Sequence, residues 1–312
     1  MSRIYEALQK AESERQVERE APVLEQPVVS DSTFRDVAVE ASSVWPSEAL
    51  AQADVMPDYT PVGSGSFDPG RIGRYPWHPL PQRLPALMER GLAVEQFRSL
   101  RSRLFELRDI KPLKSILITS GLSQEGKSFV AANLAFSLAR HKASKVLLID
   151  GDMRRYTLHE VLGTVSHPGL ADYLAGRVDM TEVMQRAEIE DQEVEPSVGL
   201  PNLTFIPGGN GGDKAADLSG NPRFGELIRA ASRYFDWIII DSSPVLPVSD
   251  GVNLARACDG VLLVARNGVT KFSVAQRAQS EMKASNVLGY VLNAADNSPS
   301  INSYYGYDAK YS

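Results

Sequence analysis

Residues 115–128 read Ser-Ile-Leu-Ile-Thr-Ser-Gly-Leu-Ser-Gln-Glu-Gly-Lys-Ser. A short β-branched run meets a glycine-framed turn, G-x-x-x-x-G-K-[ST] from Gly121 to Ser128, and the helix-forming stretch Phe-Val-Ala-Ala-Asn-Leu-Ala follows. Strand, glycine loop and helix in that order make a phosphate-binding P-loop. The glycines let the chain curl until successive N–H groups point inward, the helix opening at Lys127 adds its positive end, and the Lys127 ammonium reaches the β- and γ-phosphates. Ser128 supplies a hydroxyl to Mg²⁺. The expected ATP contacts are therefore Gly121, Leu122, Ser123, Gln124, Glu125, Gly126, Lys127, Ser128 and the adjoining Phe129.

Outward from this loop, β-branched runs alternate with helical stretches. Strands are expected at Ser115–Thr119, Lys145–Ile149, Leu203–Ile206, Trp237–Ile240, Gly260–Val264 and Leu288–Leu292. Most are almost wholly apolar, as strands covered on both faces must be. Helices are expected near 128–140, 222–234, 249–257 and 271–284. Repeated βαβ units predict an α/β P-loop NTPase, a mostly parallel sheet with helices on both faces. Two strands end in acids: Val-Leu-Leu-Ile-Asp150-Gly-Asp152-Met-Arg154 and Trp-Ile-Ile-Ile-Asp241-Ser-Ser-Pro244. Carboxyl ends of parallel strands open into the crevice that holds the P-loop. An i, i+2 spacing in extended chain puts Asp150 and Asp152 on one side, so both could face one Mg²⁺–phosphate centre. The candidate catalytic set is Lys127, Asp150, Asp152 and Asp241, and the candidate Mg²⁺ ligands are Ser128, Asp150 and Asp241. Capping of a following helix is the alternative for any single Asp. Asn293, ending the last strand, is either an adenine contact or a plain strand cap.

The 312 residues are 43% apolar and 23% charged, enough for a large core. A single cysteine, Cys258, excludes an internal disulfide and points to a reducing cytoplasm. No aliphatic run approaches the roughly 20 residues of a membrane span, and the amino terminus lacks the apolar segment of a signal peptide. Residues 1–85 hold 8 Lys and Arg against 13 Asp and Glu, which places nearly all of the net charge of −6 there. No basic face suggests nucleic acid. The same stretch has ten of the nineteen prolines. The organisation expected is a short amphipathic helix at 1–18, a Pro-rich acidic disordered linker at 19–85, the P-loop domain at 86–297 and a tail at 298–312. Four of eleven tyrosines, Tyr304, Tyr305, Tyr307 and Tyr311, crowd into the last nine residues among Gly, Ser and Asp. Without flanking aliphatics or strand alternation they suit phosphoacceptors better than a core.

Gly121–Ser128 as Walker A, Val146–Arg154 as three apolar residues then D-x-D-x-R, and Ile238–Pro244 as a Walker B ending D-x-x-P together resemble the bacterial tyrosine kinases of exopolysaccharide and capsule synthesis. The likeness covers about residues 90–312. It includes Glu95-Gln-Phe-Arg98-Ser-Leu-Arg101, similar to the family's E-x-x-R-x-x-R helix, which implies that Glu95, Arg98 and Arg101 join subunits into a ring. It also implies autophosphorylation of the tyrosine tail in trans, an ATP and Mg²⁺ requirement, and a role in polysaccharide polymerisation and export. The partners implied are a membrane co-polymerase-type activator that recruits a cytoplasmic protein to the inner face of the membrane, and a tyrosine phosphatase. The chain departs from the pattern at Phe129, where many P-loops carry a second hydroxyl, and at Tyr156-Thr157, where a proline is expected. Tyr156 is a further phosphosite or, more simply, a buried ring. Partitioning and division-site ATPases share the loop and the strand-end acids, but they carry a lysine after the first loop glycine where this chain has Leu122.

Overall fold

The expected β-branched runs become neighbouring strands of one eight-stranded sheet. The computed structural model describes residues 67–141, 144–188 and 202–295. Two units are distinguished, Met1–Val62 and Gly63–Ser312, and every described residue lies in the second. The expected helix 1–18, most of the linker and the tyrosine tail lie outside the described residues.

In chain order the elements are β1 (Gly73–Tyr75), α1 (Leu92–Ile110), β2 (Ser115–Ser120), α2 (Lys127–Ala139), β3 (Val146–Asp150), α3 (Leu158–Leu162) and α4 (Leu170–Leu174). There follow β4 (Gln185–Ala187), β5 (Leu203–Ile206), α5 (Ala215–Ser219), α6 (Pro222–Ala231), β6 (Trp237–Asp241), α7 (Asp250–Ala255), β7 (Gly260–Arg266), α8 (Phe272–Glu281) and β8 (Val287–Asn293). The strand order is β1-β4-β5-β3-β6-β2-β7-β8, parallel throughout except where β4 meets β5. All residues of β2, β3, β5 and β6 are buried. Alternation divides them between two cores. Leu117, Leu147, Ile149, Ile238 and Ile240 pack with α6 and α7, whereas Ile116, Ile118, Val146, Leu148 and Ile239 pack under α1 and α2. Helix α1 buries Val94, Phe97 and Leu104, at i, i+3 and i+10, and sets the last two into the second core.

One boundary needs correction. Residues 67–85, read as linker, belong to the fold: β1 extends the sheet, Ile72 and Leu84 are buried, and the Phe67 ring packs at a tilt against Tyr234, centres 4.5 Å apart. The main chain is tied down as well, with the His78 and Leu80 amides donating to the Gly163 and Val161 carbonyls. Composition misleads here because Pro69, Pro81 and Pro85 each open a short 3₁₀ turn, where a missing N–H costs nothing.

Candidate active site

Strand β2 delivers the chain to the mouth of the sheet, where Gly121 packs closely on α8: a Cβ there would lie 3.1 Å from Val274 Cγ1. Gln124 (φ 66°) and Gly126 (φ 97°) take left-handed conformations that curl the loop back before α2 begins. The buried Glu125 stabilises the curl from within: its carboxylate accepts from the Leu122 amide at 2.8 Å and from the Thr270 hydroxyl. Asn293 supports the loop from β8, its Nδ2 donating to the Glu125 carbonyl at 3.0 Å. The packing is so close that a Cβ on Gly126 would come within 1.9 Å of that nitrogen. Asn293, placed by its sequence position at the adenine edge or as a cap, thus props the P-loop with its amide. Phe129 turns away from the loop and packs on Phe97 of α1, ring centres 5.9 Å apart.

The acids arrive on adjacent strands in register, Asp150 of β3 opposite Asp241 of β6. Strand β3 ends at Asp150, and Gly151 donates to the Asp241 carbonyl at 2.9 Å, so close that a Cβ there would meet that oxygen at 2.5 Å. Asp150 and Asp152 therefore do not share one role. Asp150 is fully buried and accepts from the Asp152 amide at 3.2 Å and from the Leu158 amide at 3.1 Å, so it satisfies an orphan N–H at the start of α3. Asp152 turns to the loop: its Oδ2 lies 3.1 Å from Lys127 Nζ, and its Oδ1 accepts from Ser243 Oγ at 2.7 Å and the Arg155 amide at 3.1 Å. A cavity of about 330 Å³ opens beside Lys127 and Asp152, with Ser123, Gln124, Arg155 and Ser243 in its wall. Arg154, of the D-x-D-x-R run, braces against Asp250 of α7 at 2.6 Å. Tyr156 is half-buried against His159 and His167.

Three carboxylates against one ammonium leave this centre short of positive charge. Burial, then Asp241, pushes the Asp150 carboxyl well above the usual carboxylate range. Burial raises Asp241 to about 6 despite Lys127 and the Ser128 hydroxyl beside it. Burial also works against the Lys127 charge, but Asp241, Asp152 and Asp150 more than offset it and hold that lysine above its ordinary value. Asp241 Oδ1 is buried with no hydrogen-bond partner. An orphaned carboxylate oxygen beside a serine hydroxyl and a phosphate-binding loop is a donor set that suits Mg²⁺, which is held by one or two carboxylates plus substrate phosphates.

A family model described as the CobQ/CobB/MinD/ParA nucleotide-binding domain matches residues 116–306. Tyrosine-protein kinase CpsD of Streptococcus agalactiae is 33% identical over 201 residues, 63% of this chain and 82% of that protein. The chain belongs to the bacterial tyrosine-kinase family. Tyrosine-protein kinase wzc of Salmonella typhi is 34% identical over 207 residues, 65% of this chain, and the match spans only 27% of that relative's length. The kinase domain of Escherichia coli tyrosine kinase ETK superposes with a TM-score of 0.58 at 28% identity, covering 66% of this chain and 78% of that one. Among the described residues no helix is long and apolar enough to cross a membrane.

In this kinase fold the E-x-x-R-x-x-R residues lie on α1. Arg98 pairs with Glu95 at 2.5 Å on the exposed side, whereas Arg101 turns inward and donates to the Ser137 carbonyl of α2 at 2.7 Å. Ser243 and Thr270 escaped the sequence reading. Ser243 could have been singled out as a hydroxyl inside D-x-x-P; Thr270 carries no such signal, lying 145 residues from its partner Glu125.

Proposed function

We propose that this chain is an ATP-dependent protein-tyrosine autokinase that phosphorylates Tyr304, Tyr305, Tyr307 and Tyr311 of its own tail, in trans within a ring, and serves exopolysaccharide or capsule polymerisation and export. The observation that carries the reading is the Lys127–Asp152 pair at a P-loop mouth, beside an Asp241 oxygen that lacks a partner. ATP binding gives Lys127 the β- and γ-phosphates in place of Asp152, and the loop amides share the load. Asp152, released, stands at the cavity wall, where it can accept or orient the tyrosine proton. Phenol titrates near a pKa of about 10, so a positioned acceptor is needed at neutral pH. The tyrosine oxygen bonds to the γ-phosphorus, the bond to the bridging oxygen breaks, and ADP leaves with the electron pair. Ser128 and Asp241 would hold Mg²⁺, which supplies charge neutralisation to the phosphate oxygens. Asp150 supports the centre from behind by fixing the chain between β3 and α3.

Ring formation through Glu95, Arg98 and Arg101, activation by a membrane co-polymerase-type partner at the inner face of the membrane, and reversal by a tyrosine phosphatase complete the proposal; nucleic acid has no part in it. The test is anti-phosphotyrosine blotting of the purified chain, of Lys127→Met and of a version ending at residue 297. Signal in the parent alone supports the proposal. Signal surviving in Lys127→Met removes the P-loop from the reaction, and signal surviving without the tail moves the acceptors elsewhere.

A further inference from the structure

The far end of α2 from the P-loop carries a second charged feature. A cup of about 450 Å³ is formed where α1 crosses the last turn of α2, with Arg98, Arg101, Arg140 and His141 in its wall beside Val94 and Ala86. Each guanidinium is fixed by one or two of its nitrogens. Arg140 Nη1 donates to the carbonyls of Ala86, Leu87 and Met88 at 2.8–2.9 Å, and Arg101 Nη1 donates to that of Ser137. Arg98 donates from Nη1 to the Glu95 carboxylate and from Nη2 to the Glu89 carbonyl. Glu95 is the one carboxylate paired with these arginines among the described residues. Most of their N–H donors, five on each guanidinium, therefore have no protein acceptor among the described residues. The crowding is felt at Arg101, whose pKa burial lowers first and the neighbouring Arg98 and Arg140 lower further.

Three guanidiniums held in place by backbone carbonyls form a receptor that loses little freedom on binding an anion, and forked guanidiniums match phosphate oxygens. Ala86 and Val94 give the wall beside them an aliphatic patch, and the His141 ring in the same wall is tilted at 45° to Phe105, ring centres 4.9 Å apart. A guanidinium cradle for the dianion, with an aliphatic patch and an imidazole ring beside it, fits an aryl phosphate better than a bare phosphate.

We propose that this cup binds phosphotyrosine, and that its occupant is the phosphorylated tail of this chain. The inference rests on the autokinase reading for the source of the phosphate. Beyond Ala295 the chain has 17 residues, a reach of up to about 55–60 Å at 3.3–3.6 Å each. Helix α2 has 13 residues, and at 1.5 Å each it sets the cup only about 20 Å from the P-loop end. Each phosphotyrosine adds about −1.5 to −2 charges where positive charge is in excess. Because Arg98 and Arg101 are also the proposed ring contact, a phosphorylated tail in the cup would displace the neighbouring subunit.

The test uses the full-length chain after phosphatase treatment and a fluorescent synthetic peptide of residues 301–312, phosphorylated at Tyr304 and Tyr305 or unmodified, followed by anisotropy. The phosphopeptide should bind at least tenfold tighter than the unmodified one, saturating ADP should not displace it, and Arg98→Glu should weaken it at least tenfold. Arg101→Lys, which keeps the charge but loses the fork, should weaken it less. Equal binding of the two peptides, displacement by ADP, or indifference to Arg98→Glu each overturns the assignment. So does inorganic phosphate binding as tightly as the phosphopeptide, which would make the cup a site for free anions. The peptide is supplied ready phosphorylated, so a chain that autophosphorylates yet ignores it refutes this inference alone. A chain that binds it yet never autophosphorylates refutes the autokinase reading instead.

Discussion

The two ends of α2 are opposite in charge. At its start, one lysine faces Asp150, Asp152 and Asp241 in a buried pit; at its end, Arg98, Arg101 and Arg140 gather around backbone carbonyls with Glu95 as their paired acid. The helix dipole favours this C-terminal cluster and accounts for part of it, since Arg101 satisfies one of the orphan carbonyls of the last turn. It favours carboxylates at the other end too, yet burial there outweighs it and raises the pKa values of Asp150 and Asp241. The lesson is that the P-loop end is held in an electrostatically costly state awaiting cationic and phosphate ligands, while the other end is structurally satisfied and has positive charge left over. Substitutions of the loop-facing Lys127 and Asp152 should therefore change chemistry more than stability, and those of Asp150 behind them and of Arg140 at the second end the reverse.

The largest contrast should come from the two strand-end acids. Asp152→Asn should lower the autophosphorylation rate by at least about a hundredfold, the low end for a positioned acid–base group, with urea unfolding unchanged. Asp150→Ala should cost about 1–3 kcal/mol in urea unfolding, because the Leu158 and Asp152 amides lose their acceptor, with a smaller loss of rate. Equal rate losses without a stability difference would erase the division of labour drawn from the geometry. At the other end, Arg140→Ala removes the donor shared by three carbonyls and should destabilise the fold by about 2 kcal/mol while ATP affinity, measured by titration calorimetry, stays put.

How far the sequence could be read follows from locality. The sheet was legible because fully buried strands must be apolar runs, and the P-loop because phosphate binding fixes its glycines and lysine at set spacings. Asp150 and Asp152 were placed on one side by the i, i+2 rule, which requires an extended chain, whereas β3 stops at Asp150. The stretch 67–85 looked like linker because its prolines were counted rather than placed; each turn they open sets an apolar residue, such as Leu84, into the core. Glu125 and Thr270 meet only through the folded sheet, so no local pattern could announce them.

A pH experiment tests the claim that the P-loop end is costly. The folded Asp241 titrates at about 6 against 3.8 for the free group, so the folded state holds this proton more tightly than the unfolded chain. Its contribution to stability is complete below about pH 4 and is lost as pH rises through about 6. Asp241→Asn removes that titration. The ligand-free variant should melt a few degrees above the parent at pH 7.5, a shift worth roughly 1 kcal/mol or more for a domain of this size, and the gap should close toward pH 4. The same variant should lose autophosphorylation. A gap that stays constant with pH would mean that Asp241 is not strained.

The smallest expected effect separates a prop from a base contact. Asn293 donates to the Glu125 carbonyl and touches Gly126, so Asn293→Ala loosens the loop without removing a phosphate ligand. One hydrogen bond of about 1 kcal/mol translates into a rise of about fivefold in KM for ATP, with kcat little changed because the loop closes on phosphate in the ground and transition states alike. The discriminating quantity is the ratio of KM for GTP to KM for ATP. A prop acts through the loop that both nucleotides share, so the ratio should hold while both values rise. A ratio that falls toward one would return Asn293 to the adenine edge and leave the Glu125 carbonyl contact as a feature of the nucleotide-free state.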